Sequence, residues 1–408
     1  MADPAKLELL TRASGAAEFQ IVEVESRRVY WAYKPRRLPA TEWELTAQPP
    51  GADGARHYVL KNLRLDRYLL LNAKEHFLWE YFDGRHSLEE IARAFHLAIG
   101  AFDYSLIRQL LTKLYSCGLL ETQPGTDFRP RVSGVHEQDW PHRFKSALQR
   151  WRRASFKIPN ADRFCTVIYD RGGFLLFRPI AFGGLAGVAA LAIALAVRDG
   201  VNAGNFAYYL KARPFTVAGA MLLTLLAASM LHTLAHALAC KSYGRRVREL
   251  GFFLLQGVLP TGYADVTDIF MSSRRARVVV DLAGPMVEVV LGSTAIIAAH
   301  FAGPGFGEAL LFGIGVMLWE SALINLYPFS FLEMDGYNML ADLLAMPMLR
   351  QQALALMPTL PRRLGTVRSI ERAEWLQLGY LALCVVSVLV YLIAHLGAVR
   401  SLFQFAAQ

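Results

Sequence analysis

Long uncharged stretches are missing from the first 173 residues of this 408-residue chain, and five follow Phe174. Met1 to Gln20 has no apolar core of the ~7–15 residues that a secretory signal needs, so the N-terminal part is expected to stay in the cytoplasm. Cysteine is scarce too: Cys117, Cys165, Cys240 and Cys384 stand alone, without CxxC or finger spacing. That excludes a disulfide framework or zinc ribbon and leaves reduced thiols. Charged residues are only 19% against 54% hydrophobic, a balance outside that of ordinary soluble domains. The net charge is +9, but Arg is concentrated in the loops between apolar runs, where it acts as a topology signal. With no basic stripe on the helix around Arg108 and Lys113, no nucleic-acid partner is expected. No internal repeat is visible either, which argues against a transporter that would use Glu288 and Glu320 as a proton path.

The N-terminal part has the pattern of a small α+β domain. Arg27–Tyr33 and Tyr58–Leu71, rich in Tyr, Val and Leu, flank the turn-forming run Pro-Pro-Gly-Ala-Asp-Gly and are expected to be short strands. Helices are predicted at Ala73–Phe82, Leu88–Phe95 and Tyr104–Cys117. Ser87 and Glu90 fit a capping box, Leu106, Leu110 and Leu114 share one stripe, and Gly118 ends the last helix. The sum is a domain of winged-helix size.

The run LLLNAKEHFLWEYFDGRHSLEEIARAF, followed by LIRQLLTKLYSCGLLE, resembles the PqqD-like domain, the precursor-peptide recognition element of ribosomal peptide modification systems. Leu71-Asn72, Phe77, Asp83-Gly84, Ser87-Leu88, Glu90-Ile91 and Gly118-Leu119-Leu120 carry the likeness, which covers roughly residues 25 to 122. The resemblance implies that a precursor peptide adds as a strand to the sheet edge; the other reading is a winged helix that only docks on the rest of the chain. Further on, His142–Lys157 (HRFKSALQRWRRASFK) is basic and amphipathic. It is either a helix lying on the anionic inner leaflet, with Trp151 and Phe156 at the interface, or a plain basic linker. The expected division is 1–125 winged-helix-like domain, 126–173 basic amphipathic linker and 174–408 membrane domain, the last all-α.

A membrane span needs ~20 mostly apolar residues. Ile180–Val197, Phe215–Cys240, Val278–Ala302, Leu310–Phe331 and Trp375–Gly397 qualify. Placing the N-terminus inside puts loops 241–277 and 332–374, with most of the arginines, on the cytoplasmic side, while only Arg198, Lys211 and Arg213 face outward. Ionisable groups within spans are costly and need partners. The second span holds His232 and His236, the third Asp281 and Glu288, and the fourth Glu320, leading on to Asp335.

His232 and His236, four residues apart, share a helix face and can point at one ion. Both lie near the inner end of their span, and Asp335 follows the inner end of the fourth, so the three can meet at one depth. Two histidines and a carboxylate suit zinc and leave a fourth position open. Histidines hydrogen-bonded between helices, with Asp335 as a turn residue, are the alternative.

The pieces HTLAHALACKSYGRRVRELGFFLL, GYADVTDIF, RRARVVVDLAGP and NLYPFSFLEMDGYNMLADLL resemble the site-2 protease family of intramembrane zinc metallopeptidases, over roughly residues 175 to 345. By that resemblance His232, His236 and Asp335 are the zinc ligands, with Met334 in place of the family's Leu. Gly284-Pro285 is kept, while Glu288 stands where the family has an Asn that holds substrate backbone. Thr233 occupies the position of the general-base glutamate in HExxH, and a threonine cannot do that work at neutral pH. General acid–base help is worth roughly 10²- to 10⁴-fold, so proteolysis is expected to be impaired unless another carboxylate substitutes. Glu288 and Glu320 are the in-membrane candidates, or else simple helix–helix bonding groups. Asp265 and Asp268 are expected to turn a hairpin or re-entrant segment within Gly251–Phe270. The resulting expectation is a site-2-protease-like zinc protein of the bacterial cytoplasmic membrane that receives a precursor peptide for maturation or export, alongside other modification or export proteins. The rival is a non-proteolytic peptide-binding member of such a complex.

Overall fold

The computed structural model describes residues 7–11, 20–24, 31–50, 54, 56–100, 104–121, 155–199, 203–255, 259–359 and 372–406. The chain divides into two units near residue 134, and each is taken in turn.

The first unit begins with an antiparallel pair, β1 (Leu7–Thr11) and β2 (Gln20–Val24). A three-stranded antiparallel sheet follows in the order β3-β4-β5, formed by Trp43–Ala47, His57–Asn62 and Arg67–Asn72. Helices α1 (Ala73–Glu80), α2 (Leu88–Ile99) and α3 (Tyr104–Ser116) then cover it. Both predicted helix starts are chemically locked: Asn72 with Glu75, and Ser87 with Glu90, form reciprocal capping boxes. Leu110 and Leu114 are fully buried with Leu60, Trp79, Phe82 and Phe95, each large apolar side chain contributing about 1.5–3 kcal/mol of transfer free energy.

Two expectations for this unit need correction. Trp31 and Ala32 lie in a helical turn rather than in a strand, while residues 27–30 fall outside the described ones. The position beside β4 is filled instead by β3, since aromatic and β-branched content only marks a fit to a pleated, half-buried surface, and pairing decides which segment takes it. Tyr58–Leu71 forms two strands around a turn that has Asp66 at φ 51°.

The second unit contains five helices long and apolar enough to cross a membrane among the described residues: α5 (Pro179–Asp199), α7 (Pro214–Ser242), α8 (Arg274–Phe301), α9 (Phe306–Leu326) and the Arg372–Ile393 part of α12 (Arg372–Ala406). They coincide with the five predicted runs, except that α9 stops at Leu326 rather than Phe331. Pro328 cannot continue a helix. Shorter helices fill the connections: α4 (Ala161–Asp170), α6 (Ala203–Ala212), α10 (Asp335–Leu344) and α11 (Leu349–Leu356). α8 and α9 pack closely because Gly292 and Gly315 face each other; a Cβ on Gly292 would sit 2.8 Å from the Gly315 carbonyl.

This unit is not all-α. β6 (Ser155–Lys157), β7 (Glu249–Leu255) and β8 (Leu259–Asp265) form an antiparallel sheet in that order. The predicted surface helix His142–Lys157 is therefore a strand over its last three residues, while residues 142–154 lie outside the described ones. The strand wins because β7 offers an unpaired edge that Phe156 can join, and Gly251 permits the approach: a Cβ there would lie 2.1 Å from the Phe156 carbonyl. Asp265 and Asp268 do not turn this hairpin, whose connection lies between Leu255 and Leu259; Asp265 is the last residue of β8, and Asp268 lies in the helical turn Thr267–Met271 that follows. Asp265 bonds Thr267 and Arg248, and Asp268 accepts from the Arg246 amide. α4 is fixed to the inner end of α7 through Asp162, which accepts from Lys241 Nζ (3.0 Å) and the Val247 amide (2.9 Å).

Candidate metal centre

α7 carries His232 and His236 one turn apart, with ring centroids 4.7 Å apart and the rings nearly perpendicular. α10 delivers Asp335 as its first residue, directly after α9 and a short loop. His232 Nε2 lies 3.2 Å from Asp335 Oδ2, and His236 Nε2 lies 3.6 Å from Asp335 Oδ1. One donor atom from each residue falls within 4.8 Å of the others. Ligand atoms held ~2.0–2.1 Å from a tetrahedral zinc ion stand about 3.3 Å from one another, so the three donors fit such an ion. Asp335 thus places one carboxylate oxygen against each Nε2 atom and completes the set of three donors.

The far nitrogens of both imidazoles are also held. His232 Nδ1 meets Glu288 Oε1 at 2.9 Å, and Asn325 Nδ2 donates to the other oxygen, Oε2, at 3.3 Å. His236 Nδ1 donates to the Val280 carbonyl at 2.6 Å. Such outer partners fix the tautomer with Nδ1–H and leave the Nε2 lone pairs aimed at the centre. The helix supplying these partners comes very close, because a Cβ at Gly284 would lie 2.3 Å from His236 Nε2 and 2.5 Å from His232 Nε2. Only glycine keeps that space free, and Pro285 beside it removes the amide that would otherwise bond the Asp281 carbonyl, loosening this turn of α8.

Thr233 is buried, and its hydroxyl donates to the Ser229 carbonyl at 2.8 Å. β8 presses against it at Gly262, where a Cβ would be 2.8 Å from Thr233 Oγ1. The Thr233 hydroxyl is thus enclosed between its own helix backbone and the strand. Glu288 is buried beside His232, while Glu320 is exposed on α9. Asn325 and the Val280 carbonyl went unnoticed in the sequence because their partners are 37 and 44 positions away on other helices.

α10 is anchored at both ends. Gly336 lies against the end of α9, where a Cβ would be 2.1 Å from the Leu326 carbonyl. Seven residues after Asp335, and so on the same helix face, Asp342 accepts from the buried Arg277 Nε of α8 at 2.8 Å.

The spanning helices and this donor set define the class: a membrane protein with a candidate His/His/Asp metal site. Over 118 residues, 29% of this chain and 44% of the relative, the sequence is 31% identical to the Bacillus subtilis (strain 168) protein named "Putative peptide zinc metalloprotease protein YydH". The match therefore spans less than half of that relative's length. No protein-family model and no solved structure matches the chain.

Proposed function

We propose that this chain is a membrane-embedded zinc protein of the site-2 protease type that handles a peptide during maturation or export, with hydrolysis impaired at position 233. The observation that carries the reading is the donor set itself: His232, His236 and Asp335 converge while both rear imidazole nitrogens are held by Glu288 and Val280. A zinc ion bound there would supply Lewis acidity and lower the pKa of a water. The chain's own residues do the rest: Glu288 orients His232, Val280 orients His236, and Gly284 keeps the approach to both clear. In this reading Glu288 is a positioning group, not the base, because each of its oxygens is already engaged. The substrate would reach the first unit as a strand added to the sheet edge, in the PqqD-like manner, and the N-terminal unit would lie on the cytoplasmic side with the arginine-rich loops.

The back-bonded Thr233 hydroxyl favours a second reading, a peptide-binding component that does not cut. Zinc content and cleavage of a quenched-fluorophore peptide library, measured on the purified full-length protein, separate the two. The first reading expects near-stoichiometric zinc with slow but zinc-dependent cleavage. Zinc without any zinc-dependent cleavage supports the second, and absence of zinc overturns both.

A further inference from the structure

Peptide hydrolysis moves a proton as well as a bond. The C–O bond forms as the C–N bond breaks, and a water proton must travel to the departing nitrogen. Thr233 has spent its hydroxyl on Ser229. Glu288 has spent one oxygen on His232 and the other on Asn325. Asp342 holds Arg277, Asp265 holds Arg248 and Thr267, and Asp268 holds the Arg246 amide. Glu320 sits on an exposed face of α9.

Asp281 differs from all of these. Its half-buried carboxylate accepts no hydrogen bond among the described residues. It lies three residues before Gly284 and seven before Glu288, so the three share one stripe of α8. Gly284 on that stripe abuts both His Nε2 atoms, and Glu288 touches His232 Nδ1. The preceding residue, Val280, gives its carbonyl to His236. The charges facing Asp281 are those of Asp335, Asp342 and Arg277. The Asp281 carboxyl, with no hydrogen-bond partner among the described residues, therefore belongs to the turn of α8 before the one that abuts the metal donors.

We propose that Asp281 is the proton carrier of this centre, taking a proton from the attacking water and returning it to the leaving nitrogen in place of the carboxylate that position 233 lacks. The inference rests on the zinc reading above and gives that reading its residual hydrolysis. Asp281 suits the role because it lies on the stripe of α8 that faces the histidines, and proton transfer needs reach to the water and not a particular position in sequence.

Acetohydroxamic acid tests this without relying on turnover, since a hydroxamic acid surrenders a proton to a nearby base when it binds a zinc centre. Zinc content and acetohydroxamate binding would be measured by calorimetry on full-length native protein, Asp281→Asn, Asp281→Glu and Thr233→Ala. The expected result is unchanged zinc in all four, binding weakened at least about tenfold in Asp281→Asn (the loss of one hydrogen bond to a charged group), and binding within a few-fold of native in the other two. Native-like binding by Asp281→Asn overturns the proposal, and so does zinc-replete native protein that ignores the probe. Native protein that cannot be loaded with zinc removes the metal reading itself, an outcome the metal assay identifies before any probe is added.

Discussion

Glu288 and Gly284 do different work on the same pair of histidines, and single substitutions separate them. Glu288→Gln keeps the shape but removes the charge that orients His232, so zinc affinity should fall roughly 10- to 100-fold, as it does when outer partners of ligating histidines are changed. Competition against a chelator of known affinity would measure this, and unchanged affinity would show that the 2.9 Å contact has no bearing on the metal. Gly284→Ala should act more severely. A methyl group 2.3–2.5 Å from both Nε2 atoms cannot be accommodated without moving α8 or turning the rings, so zinc should be lost while the apolar helices still fold. Full zinc occupancy in the alanine variant would mean that the helix yields at Pro285. The histidine spacing and Asp335 were legible in the sequence because i and i+4 on one helix are neighbours by geometry. Glu288 was legible only as a buried charge in need of a partner; that the partner is His232 Nδ1 depends on how α7 and α8 cross, which no local pattern encodes.

At the scale of elements, α10 matters because it begins with Asp335, the third donor of the candidate site. Its attachment to α8 through Arg277 and Asp342 is buried, with side-chain exposures of 8% and 14%, so removing one partner strands a charge. Arg277→Met should destabilise the second unit by about 3–5 kcal/mol and weaken zinc binding by letting α10 shift. The double variant Arg277→Met with Asp342→Leu should regain part of the stability, since it removes both members of the pair. Thermal unfolding in detergent with parallel zinc titration checks both, and a single variant as stable as native would remove the clamp from the account. The β6-β7-β8 sheet shows what the sequence concealed at this scale. Gly251–Phe270 is apolar enough to pass for a re-entrant segment, and β6 is only three residues long, too short for any periodicity to register. Gly251 and Gly262 were the available signals, each marking a close backbone approach that becomes recognisable only once its neighbour is known.

For the molecule as a whole, the membrane helices were the most legible part, since a run of about 20 apolar residues has few other uses. The helices of the first unit were nearly as clear through their caps, whereas its sheet was half misplaced because strand pairing is a non-local choice. That unit has a buried core of its own, built on Leu60, Trp79, Phe82 and Phe95. Trp79→Ala should therefore unfold it at a loss of about 3–5 kcal/mol while leaving zinc binding in the second unit intact; simultaneous loss of zinc would show that the two do not fold separately. The central claim is that His232, His236 and Asp335 hold one zinc ion. Its most direct test is elemental analysis of purified full-length protein beside His236→Ala. The account predicts close to one zinc per native chain and almost none in the variant, because three protein ligands leave no redundancy. Equal zinc in both, or none in a folded native protein supplied with excess zinc, would contradict it.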